Sequence, residues 1–416
     1  MTHLGLCSGI AAAAKGFDVT LFDMDPKRIQ DISTGRFPVV EPDLERLFME
    51  NRTRLTFSPD KSDLARAELI YVAPDVPTDD KGQSDLDGLR GLLAHIIPAI
   101  DAGAVLVILS QVPPGFTRSL GAVPFALYYQ VETLIFGQAM QRALKPERFI
   151  VGALLPSEPL ASPLSAFLDS FDCPILTMRY ESAELAKISI NMCLAASIGV
   201  ANTLAELSEQ LGADWNEIVP ALKLDRRIGP YSYLAPGLGL AGGNLERDLA
   251  TVIALARTHN TDSGIVEAWV ANSAHRKSWP WKIVQEHVLS QRGRPRVAVL
   301  GLAYKENTKS TKNSPSLTLL AELADCDISV FDPIVSADVA PVKVTAAQSA
   351  MDAIAGADAV VIMTPWPEFR SLDPAKIAKA MAGKTLIDPY RVMDGAASRN
   401  AGLDYFMLGA ASQLTN

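Results

Sequence analysis

Cysteine is scarce in this chain of 416 residues: Cys7, Cys173, Cys193 and Cys326 are the only four, and they are scattered without paired spacing. That excludes a disulfide scaffold and a thiolate zinc centre, no metal is expected, and a reducing cytoplasm fits best. Positive charge is also in deficit, with 38 Lys and Arg against 47 Asp and Glu and a formal net charge of -9. Such a surface repels a phosphate backbone and no local basic patch offsets it, so nucleic acid is excluded as a partner. No Lys or Arg precedes the apolar start at Leu4 to Cys7, which excludes a secretory signal. Long hydrophobic runs are missing too: Leu92 to Val112 is broken by His95 and Asp101, and Ile188 to Leu204 is too short for a bilayer. Both read as buried core, and no membrane partner is expected.

What is present is an ordinary globular composition, 48% hydrophobic and 20% charged, with length for about two to three domains. Short apolar runs at Asp18 to Phe22, Leu69 to Ala73 and Ala104 to Leu109 alternate with amphipathic segments, the pattern of a parallel α/β sheet. A second such unit starts at Val297 to Leu300 and continues through Ile328 to Phe331, Ala359 to Met363 and Thr385 to Ile387. Between them, Glu181 to Leu211 has small and apolar residues at helical spacing, followed by more helical sequence to about His287. The expected architecture is therefore α/β: two Rossmann-like doubly wound parallel-sheet domains, over 1–178 and 288–416, joined by a long central helix in a helical domain over 179–287. The Ala-rich face of that helix is a candidate dimer seam.

A dinucleotide site needs a strand, a glycine-rich turn, a helix N-terminus, and an acid about 20 residues further on for the ribose hydroxyls. Gly5 stands where the third glycine of that fingerprint falls, a helix is expected from Gly5 to Lys15, and Asp23 follows the strand Val19 to Phe22. An acid there favours NAD over NADP, whose extra phosphate it repels. The chain begins inside the motif, so the first strand of the N-terminal sheet is expected to be missing.

Several later segments share one pattern. Gly35 to Leu44 contains Pro38, Glu41, Pro42 and Leu44; Ser110 to Thr117 reads Ser-Gln-Val-Pro-Pro-Gly-Phe-Thr. Val131-Glu132-Thr133-Leu134 precedes Gly137 and Pro146 to Gly152. Glu184, Lys187 and Asn191 lie at helical spacing. Asp225 to Gly229 leads to Pro236 to Asp248, and Gly301 to Lys305, Thr308, Ser314-Pro315, Asp332-Pro333, Thr364 to Trp366, Asp388 and Arg391 follow in order. This set resembles the UDP-glucose/GDP-mannose dehydrogenase family along almost the whole chain.

The resemblance implies a catalytic group of Glu132, Lys187, Asn191 and Asp248, with Asn244 at the position of the family's nucleophilic cysteine and Arg247 at that of its lysine. It implies NAD contacts at Gly5, Asp23, Arg28, Gln111 and Lys312. It places a nucleotide-sugar substrate against Glu132, Thr133, Leu134, Lys187, Asn191, Arg227, Tyr233, Gly239, Gly242, Gly243, Lys305 and Arg391. A cytoplasmic homodimer in polysaccharide precursor synthesis, acting on a UDP-glucose-type sugar, is the expected setting. The family oxidises the sugar's primary alcohol twice, trapping the aldehyde on the thiolate between the two steps. An amide nitrogen is not nucleophilic, so Asn244 cannot serve as that trap, whereas the first oxidation needs no sulfur. Cys193, two residues beyond Asn191, is on a different helix face. A two-electron oxidation of a CH–OH group is therefore expected. The alternatives are a catalytically silent nucleotide-sugar-binding relative and a conventional dehydrogenase with another nucleophile.

Overall fold

The computed structural model describes residues 1–77, 84–290 and 293–411. The chain divides into two compact units, Met1–Ile190 and Asn191–Asn416.

Among the described residues the first unit contains seven strands: β1 (Val19–Phe22), β2 (Leu55–Ser58), β3 (Leu69–Val72), β4 (Val105–Ile108), β5 (Ala126–Gln130), β6 (Phe149–Ala153) and β7 (Ile175–Arg179). Its helices are α1 (His3–Ala14), α2 (Pro26–Ser33), α3 (Leu44–Glu50), α4 (Asp87–Ile96), α5 (Phe116–Ser119), α6 (Ala139–Leu144) and α7 (Ser162–Asp169). All four residues of β4, Val-Leu-Val-Ile, are buried, as a strand covered by helices on both faces requires. The strands do not form one sheet: β1 and β2 make a parallel pair, and β3 to β7 make a five-stranded sheet in sequential order. The head of α1 lies at the C-terminal ends of both pieces. The Met1 ammonium ion-pairs with Asp23, just past β1, and the Thr2 hydroxyl donates to the carbonyl of Ala73, just past β3. The sheet departs from the all-parallel expectation, because β5 and β6 pair antiparallel.

Helix α8 (Tyr180–Leu211) carries the chain from the first unit into the second. It is longer than the stretch Ile188 to Leu204 noted in the sequence and, alone among the described helices, is long and apolar enough to cross a bilayer by length and composition. Its contacts are those of a core helix: Ala195 packs with Leu240, Leu249 and Val266, and Ala201 and Ala205 pack with Trp215. Gly199 does not break it, since its missing side chain makes room for the indole of Trp269.

The second unit continues through α9 (Trp215–Leu224), α10 (Asn244–His259), α11 (Gly264–Lys277) and α12 (Trp279–Val284), which ends in a single π turn at Gln285–Leu289. Its strands are β8 (Arg296–Leu300), β9 (Asp327–Phe331), β10 (Thr345–Ala346), β11 (Ala359–Ile362), β12 (Thr385–Ile387) and β13 (Asp404–Phe406). They form one six-stranded sheet, all parallel, in the order β10-β9-β8-β11-β12-β13. The order reverses between β8 and β11, which opens a crevice at the carboxyl ends of those strands. Buried residues of β8, β11 and β12 form the middle of the largest core cluster.

Candidate active site

In the first unit two loops emerge beside β4 and β5. Ser110 closes β4 by donating its hydroxyl to the Pro74 carbonyl at 2.6 Å, which fixes the turn where Gln111 sits, partly buried. At the far end of this loop the amides of Gly115 and Thr117 donate to the carboxylate of Glu184 on α8, at 2.6 and 2.8 Å. Glu184 is fully buried, and burial pushes its carboxyl above the usual range against the pull of those amides. The sequence marked Glu184 only by spacing; its anchoring role was not legible.

One turn along α8, Lys187 faces Glu132, the residue that follows β5 and Val131. Burial pushes the Glu132 carboxyl up to about 7, the Lys187 ammonium and the amides of Leu134 and Thr133 draw it back, and Asp75 pushes it further up. A carboxyl poised near neutrality is the form required of a general acid or base at physiological pH. Thr133 holds the loop through its carbonyl, which accepts from Arg142 at 2.8 Å, and Leu134 packs against the apolar cluster of α1.

Four of the residues expected to hold NAD, Gly5, Asp23, Arg28 and Gln111, lie on the same unit. Gly5 is on the first turn of α1, where a Cβ would stand 3.2 Å from the carbonyl of Ala73, so the helix head approaches the strand end closely. Asp23 is the acid at the carboxyl end of β1, as a ribose diol requires. Its Oδ2 also accepts from Arg28 at 3.0 Å, and its Oδ1 from the Asp25 amide at 3.0 Å. Residue type and place fit the cofactor's adenosine half.

In the second unit Asn191 donates from its side-chain amide to Oδ2 of Asp248 at 2.5 Å, and Arg247 donates from Nε to Oδ1 at 3.3 Å. All three are buried. Arg247 and Asp248 sit in the first turns of α10 and Asn191 on α8; the first residue of α10, Asn244, is exposed behind the N-cap Gly243 at φ +91. Glu246 closes this turn, accepting from the Gly243 amide at 3.2 Å, from Lys277 at 3.2 Å and from Asn313 at 2.7 Å. Gly242 lies flat against Tyr304, where a Cβ would come within 2.5 Å of the ring, and its amide donates to the Lys312 carbonyl at 3.0 Å. Gly239 packs against the Ser273 carbonyl. Lys305 lies 5.7 Å from the Tyr304 ring centroid, in the loop that Asp332 secures through the amides of Leu302 and Ala303.

Lys312, expected to serve the cofactor, lies in the second unit against Gly243, and Gly5, Asp23, Arg28 and Gln111 lie in the first. Arg227 is folded back on Asp225 at 2.6 Å with its side chain exposed, and Arg391, at φ +51, is bound twice by Asp214 at 2.8 and 3.2 Å. Carboxylates claim both arginines, Asp225 from within the same motif and Asp214 from 177 residues away. Tyr233 is half-exposed and lines an open hollow of about 250 Å³ with Lys223 and residues 230–235. Cys193 is exposed on α8 while Asn191 is buried, and burial with nearby carboxylates holds the Cys7 thiol far above its ordinary value. Among the described residues no His, Cys, Asp and Glu cluster suits a metal.

Three comparisons bear on this arrangement. Residues 1–161 match the NAD binding domain, 181–274 the central domain and 298–395 the UDP binding domain of the UDP-glucose/GDP-mannose dehydrogenase family. UDP-glucose 6-dehydrogenase TuaD of Bacillus subtilis is 27% identical over 98% of this chain and 91% of its own, and a UDP-glucose 6-dehydrogenase of Rhizobium meliloti is 28% identical over 98% and 97%. The solved UDP-glucose dehydrogenase of Pyrobaculum islandicum, 25% identical, superposes with a TM-score of 0.85 over 98% of this chain and 95% of that one. With all three family domains matched in order along its length, the chain belongs to the UDP-glucose/GDP-mannose dehydrogenase family and carries its NAD binding domain.

Proposed function

We propose that this protein is an NAD-dependent oxidoreductase of the cytoplasm that oxidises one CH–OH group of a UDP-glucose-type nucleotide sugar by two electrons. The observation that carries the reading is Asn244 at the exposed start of α10, beside the buried Asn191–Asp248 pair, where the family pattern has a thiol. NAD, when bound, takes the hydride from the carbinol carbon. The remaining work falls to this chain's own groups. Glu132 or Asp248 accepts the hydroxyl proton, directly or through water, Lys187 stabilises the developing alkoxide, and Asn191 holds the reacting oxygen. Without a thiolate the carbonyl product is not trapped for a second oxidation. The glycines at 239, 242 and 243, with Lys305 and Lys312, are the candidate diphosphate cradle.

A homodimer through α8 belongs to the same reading. The helix presents Leu185, Val200, Leu204, Leu207 and Leu211 outward, an apolar face that a second copy would cover. Polysaccharide precursor synthesis is the setting the family relationship supports.

Incubation with UDP-sugars and NAD tests the reading. One NADH per sugar and a product lighter by two hydrogens is the expected result, or no net NADH where the carbonyl is reduced again to an epimer. Two NADH per sugar with a carboxylic acid product would overturn it. A second reading shares the observation at position 244: with no thiol there, the protein binds a nucleotide sugar without catalysis. Calorimetry with NAD separates the two, since the silent protein binds the UDP-sugar alone.

A further inference from the structure

We infer that Glu41 is a positioning residue, whose carboxylate fastens the loop carrying Glu132, Thr133 and Leu134 to the head of α1. The inference rests on the reading of Glu132 as an acid or base in the reaction. Glu41 lies in the segment Gly35 to Leu44, which the proposed chemistry leaves without a task.

Its side chain is fully buried, and the structure gives it three donors from two directions. Nε2 of His3, in the first turn of α1, lies 2.8 Å from Oε1. The Gly137 amide is shared between both oxygens at 2.9 and 3.0 Å, and the Ala139 amide reaches Oε2 at 3.2 Å. The Phe136 ring stacks on the His3 ring with centroids 4.2 Å apart and planes within 20°. The other end of the loop is secured by the sheet, where the Val131 amide donates to the Ile150 carbonyl at 2.9 Å. Glu132 and the Leu134 amide that bonds it lie between these two fastenings. Only an ionised carboxylate accepts at both oxygens and donates at neither, so a neutral amide in its place would set an N–H against a backbone N–H. The segment 35–44 thereby controls the geometry of a group some 90 residues away without touching substrate itself.

Glu41→Gln tests this in the full-length protein. Hydrogen exchange read by mass spectrometry should quicken about tenfold or more across peptides covering 132–139 while the rest of the unit keeps its protection. In the NAD-dependent oxidation, kcat should fall about tenfold or more with KM for the UDP-sugar changing much less. The pH limb belonging to Glu132 should move upward as the Leu134 amide loosens, which a purely structural role would not produce. Should Glu41→Gln fail to fold, His3→Phe, which keeps the stack on Phe136 and removes one donor, should quicken exchange over 132–139 severalfold. Unchanged exchange over 132–139 in whichever variant folds, or faster exchange with an unmoved kcat and pH limb, would overturn the inference. Glu132→Gln separates this from the underlying reading: full activity in that variant removes Glu132 from the chemistry, whereas exchange in Glu41→Gln reports the fastening alone.

Discussion

The side-chain amide of Asn191 donates to Oδ2 of Asp248 at 2.5 Å, both groups are buried, and Arg247 approaches the opposite oxygen of the same carboxylate. Asn191 holds one oxygen of Asp248 while the guanidinium of Arg247 holds the other. Asp248→Asn leaves Arg247 buried beside a neutral group, a loss of about 3–5 kcal/mol in urea unfolding. Asn191→Ala keeps the ion pair and should cost only about 1–2 kcal/mol. Both variants should lower kcat, by about 10² or more, and equal stabilities in the two would refute this division of roles.

Glu132 sets a pH dependence whose sign is definite. Its carboxyl titrates near 7 in the folded protein against 4.5 unfolded, so between those values the fold binds the extra proton. The contribution of Glu132 to stability is therefore fully present below about 4.5 and is lost as pH rises through 7, by up to about 3 kcal/mol and less because the group is partly open to water. Acting as a base, it should make kcat/KM rise with pH and level off above about 7. Urea unfolding and kinetics of Glu132→Gln should show both slopes flattened.

Asn244→Cys restores sulfur at the first residue of α10, where helix amides favour a thiolate. The expected gain is a shift from one NADH per sugar toward two, with acid product detected by mass, at a rate well below that of a native thiol enzyme. A variant that binds substrate yet still stops at one NADH would show that more than the sulfur has been lost.

Arg276 is fully buried, donating to Glu209 at 2.9 Å, and Glu209 also accepts from Trp279 and the Gly409 amide at 3.0 and 2.9 Å. Arg276→Met strands that carboxylate and should destabilise the second unit by about 3–5 kcal/mol. Adding Glu209→Gln, which removes the charge while keeping an acceptor, should recover part of the loss. Thermal unfolding of the single and double variants checks both steps.

Strands were legible where both faces are buried. The runs at 105–108, 297–300 and 359–362 are apolar without interruption because helices cover both sides. Strands β2 and β7 escaped notice because their burial is mixed and their composition is not distinctively apolar. The antiparallel turn between β5 and β6 escaped it as well, since side-chain alternation has the same period in either direction. At the site, the motif residues were found by family pattern, but their partners were not. Asp214 is 177 residues from Arg391, and Glu41 is 96 from Gly137, so no local spacing announces either bond. Glu184 is the instructive case: the sequence places it at helical spacing with Lys187 and Asn191, and only the fold reveals the two amides that it receives.

Lys187 and Asn191 ride on one unbroken helix, and that places a strict arithmetic on the chain between them. A single added or deleted residue there would turn everything downstream by about 100° about the axis. The interval can be retuned by exchanging side chains but not by changing its length. By contrast, the loop that leads to Asn244 is not in helical register, so the identity of the group at that position could change while the phase of its neighbours on α8 stayed fixed.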